Sequence, residues 1–432
     1  MRDEQQTAIR SRIGSLGVSR RCACLLILTV PLLASCNDDD HCCIAYTPVE
    51  VNKGLVAGDF SDNGHTSIVT TSTVLYGGFY NAGNLKTFYS VDGGTAFSDA
   101  VLTSDGNDPL YLASADLNGD GLPDVVSASY VDGSLNVFFS TPPTAGSVTQ
   151  PSFGTPVILN SPGASQVAIG DMNGDGIPDL VSADFNVSLF VQTSPGVFAA
   201  PVSLYSGGAN WVAVGDLNHD GNLDVALTDA VGVKVLFHTG AAASTTYAAP
   251  VAVFTQTLND YVQGANIIAI ADVNGDGFQD LVITDPGPSG GGAPTVNVLL
   301  QNPAQPGTFL APVAYPTPAQ NLALSIVVTD VNGDGHPDIV IGGSNQVTVL
   351  LQDAANPGTF LAANSYAARH STEIAVADVN GDGLLDIIVN VGPVQSSVNG
   401  VIINSTPGVL IQSASAPGTF GTLQALGPTL AP

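Results

Sequence analysis

Aspartate, asparagine and glycine recur in this chain as Asp-x-Asn-x-Asp-Gly-x-x-Asp, and oxygen-bearing side chains at alternate positions of a tight loop are what a hard dication binds. The first full copy runs from Asp116 to Asp124, and five more begin at Asp171, Asp216, Asp272, Asp330 and Asp378. Positions one, three, five and nine offer side-chain oxygens, and position seven is expected to add its carbonyl. In the first copy these are Asp116, Asn118, Asp120 and Asp124, with Leu122 at position seven; in the second they are Asp171, Asn173, Asp175 and Asp179, with Ile177. The third and fourth supply Asp216, Asn218, Asp220, Asn222 and Asp224, then Asp272, Asn274, Asp276, Phe278 and Asp280. The last two supply Asp330, Asn332, Asp334, His336 and Asp338, then Asp378, Asn380, Asp382, Leu384 and Asp386.

Three carboxylates and an amide per loop suit calcium, which takes six to eight oxygens, better than zinc or copper, which call for Cys or His. Magnesium is the competing ion, with stricter octahedral geometry. About six calcium ions are therefore expected, as structural cofactors. A degenerate seventh copy, Asp59 to Ser67, keeps Asp59, Ser61, Asn63 and Ser67 at the four side-chain positions, so one charge remains and its occupancy is doubtful.

Elements must carry these loops. The motif starts are 45 to 58 residues apart, which indicates one repeat assembly instead of several unlike domains. Before each motif a short strand alternates larger and small residues, as in Val167-Ala168-Ile169-Gly170 and Ile374-Ala375-Val376-Ala377, the pattern of an innermost strand in a crowded radial array. A second apolar run follows each motif, so the acidic loop joins the first hairpin of each unit. A third strand follows, such as Val347-Thr348-Val349-Leu350-Leu351. A fourth is expected to begin at a recurring aromatic: Phe97, Phe153, Phe198, Tyr247, Phe309, Phe360 or Phe420. Pro-Val comes three residues after four of them, and proline suits an outer strand with a free edge. The aromatics themselves read as inter-blade core.

Seven such units give an all-β fold, a seven-bladed β-propeller with four antiparallel strands per blade, over residues 49–432. Thr47-Pro48-Val49-Glu50-Val51 is expected to be a further outer strand that closes the ring on the last blade.

The aromatic-x-x-Pro-Val segments and Asp-x-Asn-x-Asp-Gly-x-x-Asp loops together resemble the FG-GAP (VCBS-type) repeats of integrin α-subunit propellers and their bacterial relatives. The resemblance spans nearly the whole of residues 49–432 and implies blade geometry and calcium binding. It does not imply adhesion to an integrin ligand. Phe-Gly itself survives only as Phe153-Gly154 and Phe420-Gly421.

The first 35 residues are of another kind. Five arginines precede the apolar stretch Leu25 to Leu33, too short to span a bilayer as a permanent helix, which marks an export signal. Leu33-Ala34-Ser35-Cys36 resembles a bacterial lipobox, which implies lipidation at Cys36; a plain secretory signal with a chance cysteine is the alternative. Residues 36–48 read as an acidic tether, with Cys42 and Cys43 in it, so a disulfide-stapled core is excluded. The protein is expected to be exported, anchored in the bacterial envelope by lipid alone, and monomeric.

Without the signal, four basic residues (Lys53, Lys86, Lys234, Arg369) face 35 acidic ones, a net charge of −31. Such a surface repels nucleic acid and anionic lipid. Eighteen of those acids are the three aspartates of the six full motifs, so over half of the acidity is a metal-site signature.

No nucleophile signature, phosphate-cradling loop or marked general base stands out; His65, His219 and His336 lie inside the loops away from side-chain ligand positions. The expected function is a noncatalytic calcium-stabilised scaffold that binds a protein or a glycan. The alternative is a secreted carbohydrate-active enzyme resembling polysaccharide lyases, weakened by the scarcity of basic residues. Trp211, the only tryptophan, reads as a rim residue just before an inner strand, either ligand platform or packing, and Tyr76 to Asn84 reads as an inserted contact loop.

Overall fold

The computed structural model describes residues 49–432 apart from 77–78, 91–96, 99–100, 142–150, 184, 241–243, 256–266, 288–293, 319–322, 369–370, 392–393, 396–401, 404–406 and 427–432. The export signal, Cys36, the tether, Arg369 and His370 lie outside the described residues.

Seven four-stranded antiparallel sheets form, each from one contiguous stretch of chain, with the strand after each acidic motif paired to the strand before it. Their innermost strands are Val49–Gly58, Pro109–Ala115, Gln166–Gly170, Trp211–Gly215, Ile268–Ala271, Ala323–Thr329 and Ser371–Ala377. The described residues contain no helix. This is the seven-bladed propeller the repeats predict.

Packing follows the radial plan. Seven apolar clusters form, each drawn from two neighbouring blades, so the core lies between blades. Second strands are buried along their length, as in Asp124–Ser129 and Asp338–Gly343, because they are covered on both faces. Every recurring aromatic packs into the cluster shared with the preceding blade: Phe360 meets Tyr315 edge-on at 5.4 Å, and Phe420 meets Tyr366 at 5.4 Å. Such aromatic pairs add about 0.5–1.5 kcal/mol beyond area burial.

Two expectations are corrected. The aromatic does not open the fourth strand: it pairs with a residue just past the third strand, as in Gln301 with Phe309 and Gln352 with Phe360, and the fourth strands begin four residues later, at Val313 and Asn364. Proline therefore stands just before that strand, where its missing N–H takes no ladder bond from it.

The second concerns closure. Val49–Gly58 is the innermost strand of blade one, paired with Ser67–Tyr76, and no outer strand from residues 49–51 joins the last blade; residues 47–48 lie outside the described residues. The ring closes between inner strands instead, where blade one lies beside blades two and seven. Asn390 of blade seven, fully buried, donates to the carbonyls of Gly54 (2.9 Å) and Lys53 (3.2 Å) and accepts from the Thr70 hydroxyl at 3.0 Å. The Thr66 hydroxyl adds a bond to the Asp378 carbonyl at 2.8 Å. Residues 79–84, read as part of an insertion, continue the strand Phe79–Tyr89.

Candidate metal loops and the axial channel

Each motif is a curled loop whose own side chains satisfy its backbone. Asp116 accepts from the N–H groups of Gly119 (2.7 Å), Asp120 (3.2 Å) and Gly121 (2.9 Å); Asn118 accepts from Asp120 (2.8 Å), and Asp120 from Leu122 (2.9 Å). Closely similar bonds recur in the other five copies, for example Gly335 N–H to Asp330 at 2.7 Å and His336 N–H to Asp334 at 2.9 Å. Positions four and six take the left-handed backbone, as at Gly119 (φ 77°) and Gly121 (φ 88°). His219 occupies position four of the third full loop at φ 59°, and its ring rests 4.3 Å from that of Phe278 in the next blade.

The degenerate loop supplies an internal control. Asp59 accepts from Ser61, Asn63 and Gly64 at 2.7 to 3.2 Å, and Asn63 from His65 at 2.8 Å. The curl is thus turn chemistry, formed without the full set of charges. Besides Ser61 and Asn63 at positions three and five, what sets the degenerate loop apart from the six full loops is the ninth position.

There the aspartate is fully buried in all six copies. Asp124 accepts from Leu117 N–H at 2.9 Å and from Ser140 N–H at 2.8 Å; Asp386 accepts from Val379 at 3.2 Å and Gln412 at 2.8 Å. One carboxylate thus ties the start of the loop to the end of the third strand. In the degenerate loop Ser67 is buried here instead, with no partner for its hydroxyl among the described residues.

Burial, together with the charges at positions five and one, pushes the ninth carboxyl up to about 6 in Asp124, Asp179, Asp338 and Asp386, and to about 7 in Asp224 and Asp280. The donor chemistry fits a hard dication: three carboxylates and an amide, no basic side chain in the motif, and a ninth acid held above its ordinary range by burial and, after it, by its two neighbours. Among the described residues no three acidic side chains are gathered into a formed cation cluster. Both oxygens of the ninth carboxylate face backbone N–H groups, as in Asp124, and each oxygen keeps a second lone pair for a metal. If calcium binds, positions one, three, five and nine and the carbonyl of position seven would hold it, and it would supply charge neutralisation.

Sequence reasoning missed a latch beside these loops. Gln192, Gln352 and Gln412, two residues beyond the third strand, each donate twice. Gln412 reaches the Leu385 carbonyl of its own loop at 2.6 Å and the Val331 carbonyl of the preceding blade's loop at 2.8 Å; Gln352 does the same to Pro337 (2.8 Å) and Val273 (2.7 Å). Gln301 reaches only its own Gln279 carbonyl, at 2.9 Å, and His238 bonds instead to the Ser244 carbonyl at 2.7 Å. The signal was available: a polar residue ends an apolar pair in Leu299-Leu300-Gln301, Leu350-Leu351-Gln352 and Leu410-Ile411-Gln412.

Inside the ring the inner strands of blades two to six line a cavity of about 350 Å³. Trp211 opens its inner strand and contributes to this wall, with its indole N–H donating to the Ile268 carbonyl at 3.1 Å. It is a channel residue, not one preceding the strand.

An FG-GAP-like repeat profile matches residues 116–182, 171–227, 272–341 and 330–389, together just over half of the chain. The chain belongs to the FG-GAP-like repeat family. Curated protein sequences include no match to this FG-GAP-like chain. Among solved structures, it is similar to an Agrocybe aegerita lectin described as recognising non-reducing terminal N-acetylglucosamine, at 19% identity over 74% of this chain and 80% of that one, TM-score 0.50. Sqt1 from Chaetomium thermophilum is similar at 13% identity over 87% of each chain, TM-score 0.50. The exotype rhamnogalacturonan lyase YesX matches at 12% identity over 80% of this chain and 71% of that one, TM-score 0.44. At these identities the likeness is one of fold.

Proposed function

We propose that this FG-GAP-like propeller is a noncatalytic, calcium-stabilised scaffold, exported, held in the bacterial envelope by a lipid on Cys36, and displaying its rim to a protein or glycan partner. The observation that carries the calcium reading is the ninth aspartate, buried in all six full loops and raised by burial and by two neighbouring carboxylates with no basic residue in the motif. A dication at each loop would remove that repulsion, and loops on a rigid ring are where recognition usually resides. The acidity of the chain disfavours nucleic acid as partner.

The test is a glycan array probed with the purified mature chain in calcium and in chelator, alongside incubation with acidic polysaccharides. Calcium-dependent binding without release of sugar products is expected. Release of products would overturn the noncatalytic reading.

A further inference from the structure

One tier of the axial channel differs from the rest. Tyr111, Gln166, Trp211, Ser325 and Glu373 each stand five residues before the first aspartate of their motif. The pairing register puts the first four at one level, since Tyr111, Gln166, Trp211 and Ser325 face Ala128, Ala183, Thr228 and Gly342, each four residues beyond the ninth aspartate. Nearer the acidic loops the wall is made of small residues such as Ala113, Ala168 and Ala213. Bulk and polar atoms are therefore concentrated at one level.

Tyr111 and Trp211 belong to blades two and four, which are not neighbours, yet their ring centroids lie 5.3 Å apart at 79°. They meet over the inner edge of blade three, at the cavity both of them line. Most polar ends there are already used. Gln166 accepts from Val212 N–H at 3.0 Å and donates to the Val167 carbonyl at 3.2 Å, and the Trp211 N–H is held by Ile268. What is left open is aromatic surface, the buried Ser325 hydroxyl and one acid.

That acid is Glu373, on the inner strand of blade seven, outside the residues that line the cavity but near enough to Tyr111 for its charge to act on the phenol. It has no hydrogen-bond or ion-pair partner among the described residues, although part of its surface stays accessible. Protein surrounds it closely enough that burial holds its carboxyl well above the ordinary range, and after burial itself its charge is what most raises the nearby Tyr111 phenol. An acid so enclosed and without a counter-charge stays protonated unless something supplies the opposite charge. A hard metal ion does not suit, because a single carboxylate falls far short of six oxygens. A cation that also favours aromatic surface does suit, as ammonium groups are drawn to ring faces as well as to carboxylates. The chain's net charge of −28 would concentrate such a cation.

We propose that the axial channel binds a small organic cation of the alkylammonium class, its charged end at Glu373 beside Tyr111 and Trp211. The occupant would thread a channel walled by alanines and aliphatic side chains such as Ile270 and Ile326, which suits an unbranched chain better than a bulky one.

Trp211, the only tryptophan, reports on the site directly. The full mature chain, in saturating calcium and physiological salt, is titrated with n-butylammonium and spermidine, and in parallel with the neutral n-butanol, while tryptophan emission is read. A saturable change with the amines and none with the alcohol is expected, with the amine affinity falling about tenfold or more in Glu373→Gln through loss of a charge-assisted contact. Equal responses to amine and alcohol, or no response to either, would overturn the proposal without any variant. So would a folded Glu373→Gln that titrates like the wild type.

Discussion

Calcium removal is the perturbation to which the six loops should answer most strongly. At an affinity of about 0.1 mM and about 1 mM free ion, linkage gives about 1.4 kcal/mol per site, and six independent sites add on the order of 8 kcal/mol. The ninth aspartates determine where that energy is felt, since each joins the start of its loop to the end of the third strand; Asp338, for instance, holds the N–H groups of Val331 (3.1 Å) and Gln352 (2.8 Å). Without the ion, every loop keeps three carboxylates in mutual repulsion, and its buried member is the one raised to about 6 or about 7. An unfolding entropy of roughly 2.1 cal/mol/K per residue gives roughly 0.8 kcal/mol/K over the propeller, so 8 kcal/mol corresponds to a shift of about 10 °C. The assay is a calorimetric melt in 1 mM calcium (about ten times the assumed dissociation constant) against the same buffer with chelator. A fall of about 10 °C is expected. Coincident melts would refute this, because the donor set would then be turn chemistry alone.

Three further outcomes follow from other parts of the ring. Asn390→Leu removes three hydrogen bonds that join blade seven to blade one and should cost about 2–4 kcal/mol, read as a lower denaturant midpoint with an unchanged slope. Gln412→Ala should destabilise more than Gln301→Ala, by about 1 kcal/mol, because only Gln412 spans two blades; equal losses in parallel denaturant melts would discount the latch. Asp105 is buried, and burial pushes its carboxyl from 3.8 up to about 7, against the hydrogen bond from Asn136 at 3.0 Å. Its folded value is raised, so its contribution is complete below pH 3.8 and is lost as pH rises through about 7, a swing of up to about 4 kcal/mol. Asp105→Asn, melted in saturating calcium, should therefore gain on the wild type between pH 5 and pH 8, and a pH-independent difference would contradict the assignment.

How much of this was legible in the chain depends on which chemistry was local. The spacing of the motifs counted the blades, and the two-residue alternation before them picked out six inner strands. Blade one escaped because Val49–Gly58 has a register shift between Asn52 and Leu55, which breaks the alternation, while Pro48-Val49 mimics the Pro-Val signature of the outer strands. The curl of each loop was readable, being made of bonds between residues two to five apart. The inward commitment of Asp124 and its five equivalents was not, since one of its two donors lies 13 to 26 positions away, as in Gln192 and Gln412. The tier of Tyr111, Trp211 and Glu373 was hidden for a related reason. Periodicity says which residues share a face, but only the closed ring says that this face meets itself across an axis.

The central claim is that the six full motifs hold calcium and the degenerate one does not. Native mass spectrometry of the purified propeller after calcium loading tests it most directly, by counting ions per chain and repeating the count in Asp382→Asn. Six ions, falling to five in the variant, is the predicted result; no bound calcium, or a count unchanged by the substitution, would contradict it.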